Sequence, residues 1–229
     1  MVRIPHPRAF LRTLHILAAL MAWRGLKKFI ECNASKIPSD AHVLQVGSGG
    51  RVEKIMTPLR EKRGFKLTTL DIDPARKPDI VADIIDYDPG ECFDYILVIE
   101  VLEHIKHPHA AAQNLYKLLK PGGTLVLSTP FLFPLHDRPY DYFRFTKYGL
   151  AELFGHFDRV VIKERDSWAE VHCVFLARLL REKSLGIRIF SPIAIILAML
   201  LYPLAMLLSH LINTDAFTIG YTLVGRRPD

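Results

Sequence analysis

The sequence predicts an α/β fold in which a mostly parallel sheet carries helices on both faces. Three observations predict it. Short apolar runs rich in Val, Ile and Leu alternate with helix-like segments across residues 39–165. The first run, "HVLQV", turns directly into the glycine-rich "GSGG". An acid, Asp71, closes the second run about 22 residues after Gly49. In such a sheet ligands bind beyond the carboxyl ends of the strands, so the turn and the acid already mark one edge as functional.

The elements follow in order. Arg8 to Glu31 reads as a helix whose middle, Leu14 to Trp23, is nearly all apolar between basic ends. It lacks an A-x-A cleavage site, which favours a retained helix at an interface, or one packed on the domain, over an export signal. "HVLQV" (42–46) is the first strand, and a helix runs from the glycine turn to about Arg63. "KLTTLDID", "DIVADI" and "FDYILVI" are the second to fourth strands. Pro108 to Leu119 has helical spacing and stops at "KPGG" before a fifth strand, "TLVLST". "FDRVVIKE" and "FTIGYTLVG" supply two more. Between these last two lies Ile189–Ile212, 24 residues without Asp, Glu, Lys or Arg. As a helix it would be ~36 Å long, enough to span a bilayer, but Pro203 divides it into two arms of about 16 Å each. The boundaries are therefore an N-terminal helical region at 1–38, a domain at 39–165 completed by 213–229, and an apolar insertion at 166–212.

Bulk properties narrow the function classes. Half of the 229 residues are apolar, which supports a full core and argues against disorder. Cys32, Cys92 and Cys173 are odd in number and far apart, so neither a disulfide framework nor a zinc knuckle is indicated. The net charge of +6 suits nucleic acid or an anionic membrane surface and does not choose between them.

Three motifs carry chemistry. "VLQVGSGG" lets backbone approach a ligand closely, yet Arg51 and Val52 follow Gly50, so there is no G-x-G-x-x-G and a dinucleotide-dependent dehydrogenase is disfavoured. Asp71 at its strand end suits the two hydroxyls of a ribose; Asp71 and Asp73 also suit a simple turn before Pro74. In "VIEVLEHIKH" the spacing E-x-x-E-H sets Glu100 beside His104 on one helical face with Glu103 one position off, unless the acids merely start a helix. Finally, "STPFLFPLHDRPYDYFRFTKYGL" (128–150) is too irregular for helix or sheet. It offers His136 as a base with Asp137 as its orienting carboxylate, unless Asp137 holds Arg138. Tyr140, Tyr142 and Arg144 could grip a sugar, an aromatic ring or a phosphate. The plain alternative is a packed loop that caps a helix at Thr146.

Taken together, "VLQVGSGG", "LDIDP", "ADI", "FDYILVIEVLEHI" and "LYKLLKPGGTLVLSTP" resemble the class I S-adenosylmethionine-dependent methyltransferases, with a type 11-like domain, over about residues 40–165 plus the strand at 217–225. The resemblance implies a Rossmann-like seven-stranded sheet with an antiparallel last strand, and S-adenosyl-L-methionine as cofactor. It implies that Gly47, Ser48 and Gly49 border the methionine, Asp71 with Ile72 the ribose, and Asp83 with Ile84 the adenine, with Glu100 at the strand exit. Gln45 stands where that family usually carries an acid for the methionine ammonium; glutamine supplies an acceptor without charge. The E-x-x-E-H string resembles the metal motif of plant small-RNA 2′-O-methyltransferases and ubiquinone-pathway O-methyltransferases. That likeness implies a divalent cation on Glu100, Glu103 and His104, with His136 of the irregular loop as a further candidate ligand; His136, Asp137 and His104 are the candidate catalytic residues. Because the last strand must rejoin the same sheet, the apolar insertion is expected as a helical hairpin bent near Tyr202-Pro203, in or on a membrane, or else as an apolar cap or dimer face.

The reading that follows is O-methylation of a small-molecule or lipid-linked acceptor (a glycan, a glycolipid or a quinone-like ring) at the cytoplasmic face of a membrane, without nucleic acid. Its rivals are RNA 2′-O-methylation, suggested by E-x-x-E-H and the positive charge, and a degenerate cofactor-binding protein, suggested by Gln45.

Overall fold

A computed structural model describes residues 23–89, 93–179, 185–212 and 214–229. Two compact units divide them. The larger comprises Lys27–Phe131, Leu135–Lys163 and Tyr221–Asp229; the smaller comprises Leu132–Pro134, Glu164–Gly220 and the described residues before Lys27.

The larger unit is built on seven strands: β1 (His42–Val46), β2 (Lys66–Asp71), β3 (Ile80–Val81), β4 (Phe93–Ile99), β5 (Leu119–Pro130), β6 (Asp158–Glu164) and β7 (Gly220–Arg226). Their order in the sheet is β3-β2-β1-β4-β5-β7-β6. β1 pairs in parallel with β2 and β4, β2 with β3, and β4 with β5. The expected antiparallel last strand, β7, lies between β5 and β6. Strands covered on both faces should be apolar along their length rather than alternating. Accordingly successive residues are buried along each central strand: Val43 and Leu44 in β1, Ile96, Leu97 and Val98 in β4, and Leu125, Val126 and Leu127 in β5.

Four described α-helices precede Trp168 in the chain. The described part of α1 covers 23–34 and buries Leu26, Ile30 and Ala34, one turn apart. The apolar stretch from Leu14 lies outside the described residues, except for Trp23. α2 (Gly50–Arg63) starts from the glycine turn and ends at Gly64, whose left-handed backbone sends its amide to the Arg60 carbonyl. α3 (Pro108–Leu118) has proline in its first turn, where a missing N–H costs nothing, and buries Ala111, Ala112, Leu115 and Leu118. α4 (Lys147–Leu153) is capped by Thr146, whose hydroxyl accepts the Gly149 amide at 3.0 Å.

Two strands differ from expectation. β3 keeps only Ile80–Val81 of "DIVADI", because Asp83 accepts the Ile85 amide and the Asp86 amide bonds its carbonyl, curling the chain into a turn. β5 runs through "KPGG" as a bulge: its pairing with β4 jumps from Phe93↔Leu119 to Tyr95↔Thr124.

The smaller unit contains α5 (Trp168–Leu179) and α6 (Leu185–Leu211), packed side by side. The expected bend near Tyr202-Pro203 is absent. α6 continues through both Pro192 and Pro203, so the two packed helices are α5 and α6 rather than two halves of the apolar run. Proline removes one N–H and kinks a helix, but the flanking Leu, Ala and Met residues carry it onward. Below the hairpin, Gly25 lies so close to Asp166 that a Cβ would stand 2.3 Å from its Oδ1.

Candidate active site

The sheet brings the ends of β1, β2, β4 and β5 together, and each contributes. After β1 the chain must turn sharply. Gly47 adopts φ +88°, and a Cβ there would lie 2.7 Å from Val101 Cγ2, so glycine is required on two counts. The turn is tied to β2: the Ser48 amide donates to Asp71 Oδ2 at 2.8 Å and the Asp73 amide to Asp71 Oδ1 at 2.9 Å. Asp71 thus does the work of a turn acid while each oxygen keeps a further lone pair. Arg76 stands 3.8 Å from the same carboxylate. Gly49, at φ +80°, leads into α2. Ile72 is exposed beside Asp71, whereas Ile84 joins the core and Asp83 is engaged in its turn, so contacts from Ile84 to a ligand fall to its backbone.

Gln45 is 1% exposed; its amide nitrogen donates to the Gly47 carbonyl at 2.8 Å, and its buried Oε1 has no hydrogen-bond partner among the described residues. An unsatisfied buried acceptor costs about 1–3 kcal/mol. It is an acceptor held ready for a donor, and the ammonium of an amino-acid ligand is a suitable one.

The second cluster lies beyond β4 and β5. Glu100 sits at φ 54° and its carboxylate accepts the Ser128 hydroxyl at 2.9 Å. Leu102–His104 is a 3-10 turn, so the α-helical face expected for Glu100 and His104 does not form. Glu103 takes that place. Its side chain is fully buried, Oε1 lies 3.6 Å from His104 Nε2 and 3.7 Å from His136 Nε2, and Oε2 faces the Thr129 hydroxyl at 3.5 Å. One atom from each of Glu103, His104 and His136 falls within a 4.8 Å span. Glu100 is not part of this group, which corrects the four-ligand expectation.

The donors around these rings define what the cluster can hold. His104 Nδ1 is 2.7 Å from the Tyr140 carbonyl, an acceptor only, so Nδ1 carries the proton and Nε2 presents a lone pair. His136 Nδ1 faces Asp141 Oδ2 at 3.2 Å, which favours the same tautomer. Two imidazole lone pairs and a carboxylate oxygen then converge, an arrangement that is repulsive alone and matched by a divalent cation. Burial raises the pKa of Glu103, and neighbouring Glu100 adds to that, while His136 and His104 oppose it. Burial alone lowers that of His136, but Glu103, Asp141 and Asp137 outweigh it and raise it.

Asp141 is the residue that the sequence reading missed. Burial disfavours its charge, yet Arg144, the His136 amide and the His136 ring hold its carboxyl at about 2. Arg144 clamps it with two bonds of 2.6 and 2.7 Å, so Arg144 is committed here rather than offered as a substrate grip. Asp137, expected to orient His136, is 69% exposed and its Oδ2 lies 4.0 Å from His104 Nε2 instead. The i,i+3 spacing of Asp141 and Arg144 in "DYFR" was the available signal. Tyr140 and Tyr142 remain at the surface, the latter with the Lys106 ammonium 5.8 Å above its ring. The loop that carries them is pinned to the cluster, since the Tyr142 and Phe143 amides both donate to the Glu103 carbonyl.

This sheet order, with a glycine turn after β1 and an acid after β2, is the Rossmann-like fold of the class I S-adenosylmethionine-dependent methyltransferases. Residues 20–166 match the methyltransferase domain family, and the chain belongs to it. It is similar to the ubiquinone biosynthesis O-methyltransferase of Xanthomonas campestris, 34% identical over 106 residues that cover 39% of this chain and 43% of that protein. The chain therefore matches less than half the length of such relatives. Among solved structures it resembles Haemonchus contortus phosphoethanolamine N-methyltransferase 2 in complex with S-adenosyl-L-methionine, with a TM-score of 0.59 at 14% identity over 89% of this chain and 52% of that one. It also resembles a SAM-dependent methyltransferase from Archaeoglobus fulgidus, with a TM-score of 0.56 at 14% identity, covering 93% and 99% of the two chains. At such identities these structures speak to the fold alone.

Proposed function

We propose that the protein transfers a methyl group from S-adenosyl-L-methionine to a hydroxyl of a small acceptor. The observation that carries this reading is the convergence of Glu103 Oε1, His104 Nε2 and His136 Nε2 beyond β4 and β5, one strand away from the glycine turn. Similarity to proteins named ubiquinone biosynthesis O-methyltransferase supports an oxygen acceptor.

The chemistry is a direct displacement: the methyl carbon leaves sulfur with the C–S electron pair remaining on sulfur, bonds to oxygen, and the hydroxyl proton departs. The chain must therefore hold two partners in line and receive a proton. On the donor side, Gln45 Oε1 would accept from the ammonium, the Gly47–Gly49 backbone would border the methionine, and Asp71 would accept the ribose hydroxyls. On the acceptor side, Glu103, His104 and His136 would hold a divalent cation, which would polarise the acceptor hydroxyl and lower its pKa. Without a cation, His136 Nε2, oriented by Asp141 through Nδ1, is the group that takes the proton. Tyr140 and Tyr142 border the acceptor. The orphaned oxygen of Gln45 favours retained cofactor binding over a degenerate protein.

The acceptor is read as lipid-linked, a glycan, a glycolipid or a quinone-like ring, methylated at the cytoplasmic face of a membrane by the domain at 39–165 and 213–229. The test is methyl transfer from labelled S-adenosylmethionine by the full chain into membrane extracts. Label in a solvent-extractable product is the expected result. Label confined to RNA, or no transfer to any fraction, overturns the reading.

A further inference from the structure

We infer that the α5–α6 hairpin is a monotopic anchor whose helix α6 lies in the plane of an anionic bilayer, with its leucine stripe among the acyl chains. It deepens the membrane location read above and does not rest on the catalytic chemistry.

Pro192–Leu211 is long and apolar enough to cross a membrane, yet it is only 6% buried. A core helix of a soluble protein would be mostly covered. α6 spends part of one side on α5, where Ile195 is buried. What it leaves outward is ordered: Ile193, Leu197, Leu200, Leu204, Leu207 and Leu211 are all exposed and recur in steps of four and three.

That recurrence is also the seam of a coiled coil, so a second copy of the chain is the rival occupant. The flanking positions exclude it. In a helix pair they carry charges that shield the seam and set its register. Here they are Ala194, Ile196, Leu201, Pro203, Leu208 and His210, without one acid–base pair. Ile196 and Leu201 are themselves exposed, so the outward face is a broad apolar band without a polar rim. Such a band suits acyl chains.

Charge supplies the second argument. In the sequence, residues 178–188 carry Arg178, Arg181, Lys183 and Arg188 against the single acid Glu182, a basic stretch next to the apolar one that suits lipid phosphates. A crossing is excluded by length and composition. α6, with 27 residues, is ~40 Å long, but α5, with 12 residues, is ~18 Å and carries Glu170, His172 and Arg178. It cannot return the chain through hydrocarbon, and β6 and β7, which bracket the hairpin, are neighbours in one sheet.

The test is flotation of the full chain with vesicles of phosphatidylcholine alone or with phosphatidylglycerol, alongside a Leu200→Glu/Leu204→Glu/Leu207→Glu variant. These side chains are exposed, so the variant should melt as the parent does. The expected result is salt-resistant flotation of the parent, stronger with phosphatidylglycerol, and a bound fraction lowered at least about tenfold in the variant. Equal flotation of both proteins overturns the inference. So does a parent that ignores vesicles and sediments as a dimer that the variant dissolves.

Discussion

The turn after β1 and the loop after β5 border the two halves of the proposed site and are built in opposite ways. The first is held by backbone: Gly47 and Gly49 in left-handed conformations and two amides on Asp71. The second is held by side chains: Arg144 grips Asp141, Asp141 faces His136, and His136 faces Glu103. A backbone-built site writes itself in glycine spacing, whereas a side-chain relay depends on which residues the fold happens to bring together. The two should also break differently, one through conformation and the other through electrostatics.

The largest effect is expected at the centre of the relay. Glu103→Ala removes the buried carboxylate that faces both imidazoles and should lower methyl turnover at least about a hundredfold, with cofactor affinity unchanged in a calorimetric titration. Next is Gly47→Ala, which meets both a positive φ and the Val101 side chain. It should cost about 1–3 kcal/mol in thermal unfolding and weaken cofactor binding, the reverse of the first pattern. Asp141→Asn keeps the shape of the loop but loses its charge, and turnover should fall about tenfold, with a larger loss at low cation concentration.

The same substitution sharpens the contrast through pH. The folded carboxyl of Asp141 titrates at about 2, below its unfolded value. Its contribution to stability is therefore full above the ordinary carboxylate range and is lost as pH falls from there toward about 2. Asp141→Asn should flatten this part of the acid limb of an unfolding-versus-pH curve, while Gly47→Ala should shift the whole curve without changing its shape. The smallest effect is Gln45→Glu, which adds charge beside the donor ammonium and should tighten cofactor binding by about fivefold.

The sequence made the fold around the β1 turn legible almost residue by residue. Gly47, Asp71 and the strand–turn–helix order all reduce to local spacing, and so do the Thr146 cap and the stop after α3. The acceptor half was legible in its members and not in its wiring. His136 is legible as a site residue, but sequence adjacency pairs it with Asp137, which lies nearer His104 Nε2, whereas the loop doubles back to deliver Asp141 to its Nδ1. The E-x-x-E-H motif was read on α-helical geometry, and the 3-10 turn moved the shared carboxylate from Glu100 to Glu103. Pro203 was read as a break, although a helix of Leu, Met and Ala tolerates one missing hydrogen bond.

The central claim is that Glu103, His104 and His136 form a cation site that serves the acceptor. It is tested most directly by titrating Mg²⁺ or Mn²⁺ calorimetrically into the chelator-treated full chain and into Glu103→Ala, with methyl turnover followed in parallel. The account predicts saturable binding to the parent that restores turnover, and loss of both in the variant. Full turnover in the presence of chelator, or cation binding that survives Glu103→Ala, would contradict it.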